Sequence, residues 1–166
     1  MTTNIEPLII PEKPDAPIAC DLTDASDTPD ERIAEYGQLF ARALVDRERT
    51  ADAVELRFAV KPGVAEWVTD LARREGACCP FLTYEVRVDG TRVVWRISTQ
   101  AGPAAQAILD EFHALPERFG DGFKGLLERL DARGVRVVSP APGRFALDDT
   151  EHKPGILDRV KAACGC

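Results

Sequence analysis

The chain's most reactive residue types are its five cysteines, Cys20, Cys78, Cys79, Cys164 and Cys166, and their spacing is uneven. Cys78 and Cys79 are adjacent within Glu75-Gly76-Ala77-Cys78-Cys79-Pro80-Phe81, and Cys164-Gly165-Cys166 ends the chain. Neighbouring thiols diverge on an extended backbone but converge at a helix-to-strand corner. Two thiolates there suit a thiophilic ion of the Hg(II), As(III), Cd(II) or Cu(I) class, for which sulfur outcompetes oxygen. The competing reading is that one or both fill a corner of the core, since free cysteine is among the most buried residue types. In Cys-Gly-Cys the glycine adds backbone freedom, so both sulfurs reach one ion, and no core calls for two thiols there. A redox pair is the alternative, although Cys-x-x-Cys spacing, whether thioredoxin-like or zinc-binding, is absent.

These residues need elements to position them. Ile18, Cys20 and Leu22 alternate with Ala19 and Asp21, which predicts a short strand with the Cys20 thiol on its core side. Thr28-Pro29-Asp30-Glu31 has the form of a capping box with proline at the first helical position. Ile33, Tyr36, Phe40 and Leu44 continue it as a helical stripe. Val54, Leu56, Phe58 and Val60 predict a second strand, stopped by Lys61-Pro62-Gly63. The next helix carries Val64, Trp67, Val68 and Leu71 on one face, and the same stripe extended lands on Glu75. A carboxylate is therefore expected on the buried side one turn before the thiols, able to accept a thiol proton or to hydrogen-bond a ligand. Gly76 is the expected helix stop.

After Pro80 the period changes to two, and Asp89-Gly90 signals a hairpin. With those residues as the turn, Val86 pairs with Val93, Tyr84 with Trp95 and Leu82 with Ile97, all on one face. Gly102-Pro103 opens a third helix, limited by Pro116, and a fourth carries Phe123, Leu126, Leu127 and Leu130 to Gly134. Val135 to Val138 form a further candidate strand before Pro140, Pro142 and Gly143 begin a linker. The order β-α-β-α-β-β-α-α predicts an α+β fold, a mainly antiparallel sheet with helices on one face, with a ferredoxin-like arrangement as the leading topology. The expected organisation is an extended N-terminal arm over 1–16, an α+β domain over 17–138 and a flexible tail over 139–166.

Composition excludes several functions. A net charge of −7 and a pI near 4.9 argue against a nucleic-acid partner. No segment approaches the roughly 18 apolar residues of a membrane span, and the N-terminal residues lack the basic start and apolar stretch expected of a signal peptide. A cytoplasmic protein is expected, whose cysteines stay reduced rather than form a disulfide framework. Phosphate loops, a metalloprotease helix and a Ser-His-Asp pattern are missing. His113 and His152 have no ligand spacing.

Ile18-Ala19-Cys20, then a helix, an apolar strand and the Glu75-to-Phe81 corner resemble a small bacterial domain. In that domain an Ile-Ala-Cys strand and a Glu-x-x-Cys-Cys-x-Phe corner recur, alone or attached to MerR-type metal-responsive regulators. The resemblance covers about residues 17–113. It implies that Cys20, Cys78 and Cys79 belong together in a heavy-metal setting. DNA binding does not carry over, because no helix-turn-helix segment is present, and Cys164-Gly165-Cys166 lies outside the resemblance.

The expected function is thus a protein that binds a thiophilic metal ion through Cys20, Cys78, Cys79, Cys164 and Cys166, with Glu75 supporting them. Its setting is metal resistance, mercury included, or trafficking, with another metal-handling protein as a partner. A metal-binding role is favoured over an enzymatic one. Thiol–disulfide exchange through Cys78, Cys79 and the tail, and small-molecule binding with structural cysteines, are the alternatives.

Overall fold

A computed structural model describes residues 5–148. Its strands are β1 (Leu8–Ile10), β2 (Ala19–Asp21), β3 (Leu44–Arg49), β4 (Ala53–Ala59), β5 (Thr83–Asp89), β6 (Arg92–Ser98), β7 (Arg136–Ala141) and β8 (Arg144–Asp148). Its helices are α1 (Pro29–Ala43), α2 (Val64–Cys78), α3 (Pro103–Arg118) and α4 (Gly122–Ala132), with a single 3-10 turn at Phe119–Asp121. The fold is α+β with a mainly antiparallel sheet, as expected. Five strands run in the order β1-β5-β6-β4-β3, and every neighbouring pair is antiparallel. β4 and β5, joined by α2, run parallel with β6 between them, the split β-α-β unit of a ferredoxin-like arrangement, while β3 takes the outer place beside β4. A second sheet, β2-β8-β7, stands apart from it.

The large sheet has two unlike faces. Val54, Leu56, Phe58, Tyr84, Val86, Trp95 and Ile97 are buried on one, where Trp95 stacks on Tyr36 of α1 at 5.8 Å and Phe58 on Phe40 at 6.4 Å. The opposite face carries Glu55, Glu85, Arg87 and Arg96 in cross-strand ion pairs, a solvated surface that closes no second core.

Several local expectations are corrected. The β5–β6 turn is Gly90-Thr91, so Val88 pairs with Val93, Val86 with Trp95 and Tyr84 with Ile97. Positive φ occurs there at Gly90 alone (φ 58), the position where a Gly-first turn requires it, whereas Asp89-Gly90 would need it at both residues. The register moves without changing which side chains share the core face. Gly76 does not stop α2, which continues to Cys78. Its missing side chain serves a close approach instead: a Cβ there would lie 3.0 Å from Ile10 Cγ2, and β1 packs directly against the helix. Leu44 belongs to β3 rather than to the α1 stripe. Pro116 lies within the last turn of α3 instead of ending it.

Leu8–Ile10, in the stretch expected as an extended arm, is the edge strand beside β5. Residues 139–148, expected as linker and tail, belong to the β7–β8 hairpin, which begins at Arg136. Its turn contains Gly143 (φ 78), and a register shift between Val138 and Ala141 accommodates Pro140. Proline is tolerated because β7 is an edge strand and has N–H groups to spare. The hairpin closes on β2 through Ala19↔Ala146 and Cys20↔Phe145, and Phe123 of α4 packs on Phe145 with ring centroids 5.0 Å apart. Ala104, Ala107, Leu130 and Val135 form a small core cluster beside the main one.

Candidate functional site: a cysteine corner at the end of an apolar cavity

α1 and α2 build the polar part of the site. The capping box starts α1 as expected: the Thr28 N–H donates to Glu31 at 2.8 Å, and the Glu31 N–H donates to Thr28 Oγ1 at 3.2 Å. That start fixes the helical phase, which turns Arg32, Ile33 and Tyr36 inward. α2 ends with Glu75 and Cys78 three residues apart on its buried face, and Cys79 caps it by donating its N–H to the Glu75 carbonyl at 2.7 Å. Glu75, Cys78 and Cys79 are all buried. The carboxylate expected on the buried side of the helix is there.

Arg32 holds this corner together. Its guanidinium donates to both carboxylate oxygens of Asp27 at 2.9 and 2.7 Å and to Cys78 Sγ at 3.3 Å, and it lies 3.6 Å from Glu75 Oε1. Tyr36 Oη donates to the same Glu75 oxygen at 3.0 Å. Burial works against the Arg32 charge, but Asp27, Glu75 and Cys78 outweigh it and hold its pKa above the ordinary value. Burial raises the Glu75 carboxyl above the usual range, opposed by Arg32 and Tyr36. Burial also pushes the Cys78 thiol up, and the Arg32 guanidinium pulls it part of the way back. Tyr84 Oη donates to the Cys79 carbonyl at 3.2 Å, which ties the corner to the large sheet.

Cys20 arrives from β2 in the small sheet and is bonded to Cys79, with 4.5 Å between the Cα atoms. The disulfide joins the small sheet to the end of α2, while Cys78 remains a free, buried thiol. Cys20, Cys78, Cys79 and Glu75 thus come to one place. With the Cys20–Cys79 bond present, no group of three or more His, Cys, Asp or Glu side chains among the described residues is arranged to hold a metal ion. Cys164, Cys166 and His152 lie outside the described residues, and His113 is half-buried on α3 without lining the site.

Behind the sulfurs lies a cavity of about 150 Å³. α1, α3, α4 and the small sheet line it, and apart from the cysteine corner and Glu111 its walls are mostly apolar: Ile108, Phe112, Leu115, Leu126 and Leu147 among them. Glu111 is paired with Arg129 at 2.9 Å.

No family model, curated protein or solved structure matches the chain.

The sequence reading missed Arg32, Asp27 and Tyr36 as members of the site. A signal for Arg32 existed, because Arg32 and Tyr36 are four residues apart and so share the buried face of α1. An arginine on one buried stripe and Glu75 on another would have to meet or pay for isolation. The cavity left no comparable trace, because two of its walls come from the proline-rich hairpin and from the packing of α4. Among the described residues no helix is long and apolar enough to cross a membrane.

Proposed function

We propose that the protein, in its reduced state, binds a thiophilic metal or metalloid ion through Cys20, Cys78 and Cys79, in a heavy-metal response within a reducing compartment. The observation that carries this reading is convergence. Two residues 59 positions apart, one on β2 of the small sheet and one capping α2, bring their sulfurs to bonding distance, and a third cysteine precedes Cys79 in the chain. Two-electron reduction of the Cys20–Cys79 bond would yield two thiols beside Cys78, a sulfur-rich donor set that selects soft ions. Arg32 beside Cys78 would offset part of the burial that disfavours its thiolate and anchor the ligand's position from outside the coordination sphere. Cys164 and Cys166 would supply a second thiol pair that captures incoming ions and raises their local concentration at the inner site.

The test is titration of dithiol-reduced protein with Hg(II), As(III), Cd(II), Cu(I) and Zn(II), following sulfur-to-metal charge-transfer absorption against a competing small thiol. Binding tighter than to a monothiol, weakened by Cys20→Ser, Cys78→Ser or Cys79→Ser, is expected. Affinity no better than a monothiol's would remove the proposal. Serine at Cys164 and Cys166 should slow capture while leaving retention by the inner site.

The Cys20–Cys79 bond itself favours a second reading, thiol–disulfide exchange, with Cys78 or the tail thiols attacking that bond. Repeated turnover of a dithiol substrate by the protein would favour this reading, whereas stoichiometric ion retention without turnover would favour the first.

A further inference from the structure

The cavity adjoining the sulfurs is larger than a bare ion needs and is furnished for something else. Its volume is about 150 Å³, room for a benzene-sized guest against a mostly apolar lining. The polar side chains at its edge already satisfy one another: Arg32 with Asp27, Tyr36 with Glu75, and Arg129 with Glu111. Among the described residues the buried side-chain polar atoms without a partner are Thr69 Oγ1 and Trp95 Nε1, and neither residue lines the cavity. A guest therefore meets apolar walls with sulfur at one end. Cys20 and Cys79 both line the space, and their sulfurs approach closely enough to bond.

We infer that the ligand carries an organic group: a monosubstituted arsenic(III) compound, with its arsenic taken by Cys20 and Cys79 and its aryl or alkyl substituent in the cavity. This inference rests on the soft-ion reading of the site and names its substrate class. Arsenic(III) forms three bonds and, when one goes to carbon, needs two thiolates close together, which this pair supplies after reduction. An organomercurial needs only one thiolate and would gain nothing from a matched pair. A dithiol reductant first supplies two electrons and two protons to open the Cys20–Cys79 bond. The acid R–As(OH)2 then exchanges both hydroxyls for sulfur. Two As–S bonds form, two As–O bonds break, the thiol protons leave in two waters, and arsenic keeps its oxidation state. Cys78 is not consumed and remains held by Arg32.

The experiment uses full-length reduced protein, with phenylarsine oxide and arsenite as probes, each competed against the same small dithiol. Adducts are counted by native mass spectrometry and free-thiol assay. Burying a phenyl ring should favour phenylarsine by roughly tenfold or more beyond the preference of the small dithiol alone. Leu126→Trp, which fills the cavity from α4, should erase that excess and leave arsenite affinity unchanged. A substituent series on the unaltered protein supplies a second readout that needs no variant: affinity should rise from methyl to phenyl and fall at naphthyl. The same preference as the small dithiol, or a series without a size limit, would overturn the inference while leaving the soft-ion reading in place. Failure of both probes to bind beyond a monothiol would overturn that reading as well.

Discussion

The two sheets share one chain but are built to different standards. The large sheet packs its inner face without slack: Leu56, Phe58, Tyr84, Trp95 and Ile97 have no exposed surface. The small sheet is partly exposed along most of its length, meets α4 through one aromatic pair and a few aliphatic side chains, and leaves a cavity beneath it. Close packing gives one well-defined native state, whereas an unfilled apolar space costs stability that a ligand can return. The Cys20–Cys79 bond joins the small sheet to the end of α2, which packs on the large one.

Opening that bond should give the largest effect. Chain entropy for a loop of this separation is worth about 4 kcal/mol. Reduction or Cys20→Ser should lower stability by up to that amount in denaturant unfolding. Hydrogen exchange should show protection lost over β2 and β8 before β5 and β6; uniform loss over both sheets would erase the distinction between them. The same truncation in the two regions sharpens it further. Leu56→Ala, in the packed face, should cost about 3 kcal/mol. Leu126→Ala, at the cavity wall, should cost about 1 kcal/mol because that side chain already faces empty space. Equal costs would mean that the cavity closes up in solution.

Acid should act first through α1 and α2. A hydrogen bond from Arg32 holds Asp27 below the usual carboxylate range, and hydrogen bonds from Arg74 and then Trp67 do the same for Glu35. Groups with depressed folded pKa values stabilise the fold above their unfolded value near 4, and that stability is lost as pH falls through the folded value. Glu35→Gln should therefore flatten the fall in melting temperature below about pH 4; an unchanged slope would show that the Arg74 pair contributes nothing. The smallest effect belongs to the outer face of the large sheet. Arg57 joins Asp46, Glu48 and Glu55 there, and Arg57→Ala should change stability by less than about 1 kcal/mol, less still at high salt.

What the sequence revealed divides along the same line. The elements of the large sheet and its helices announce themselves, because a half-buried strand or helix must repeat its apolar residues at the period of its backbone. The α1 cap, the face shared by Tyr84, Val86, Trp95 and Ile97, and the inward Glu75 were all legible for that reason. β3 was not, since Val45-Asp46-Arg47-Glu48-Arg49 is an edge strand whose side chains serve ion pairs and contacts with α3 rather than the core. The β7–β8 hairpin was hidden by Pro140, Pro142 and Gly143, residues that punctuate loops and also suit an edge strand with a tight turn. The meeting of Cys20 with Cys79 depends on this second sheet. From the residues alone a strand cysteine and a vicinal pair could be nominated separately, and only the resemblance joined them.

The central claim is that the body of the protein, and not merely its terminal Cys-Gly-Cys, offers a cysteine site to a soft ion. Arsenic X-ray absorption on the reduced Cys164→Ser/Cys166→Ser protein loaded with arsenite tests it most directly. The account predicts a stoichiometric adduct with an all-sulfur shell from Cys20, Cys78 and Cys79, in which Cys78→Ser replaces one sulfur by oxygen. No bound arsenic, or an oxygen shell indifferent to Cys20→Ser and Cys79→Ser, would contradict it.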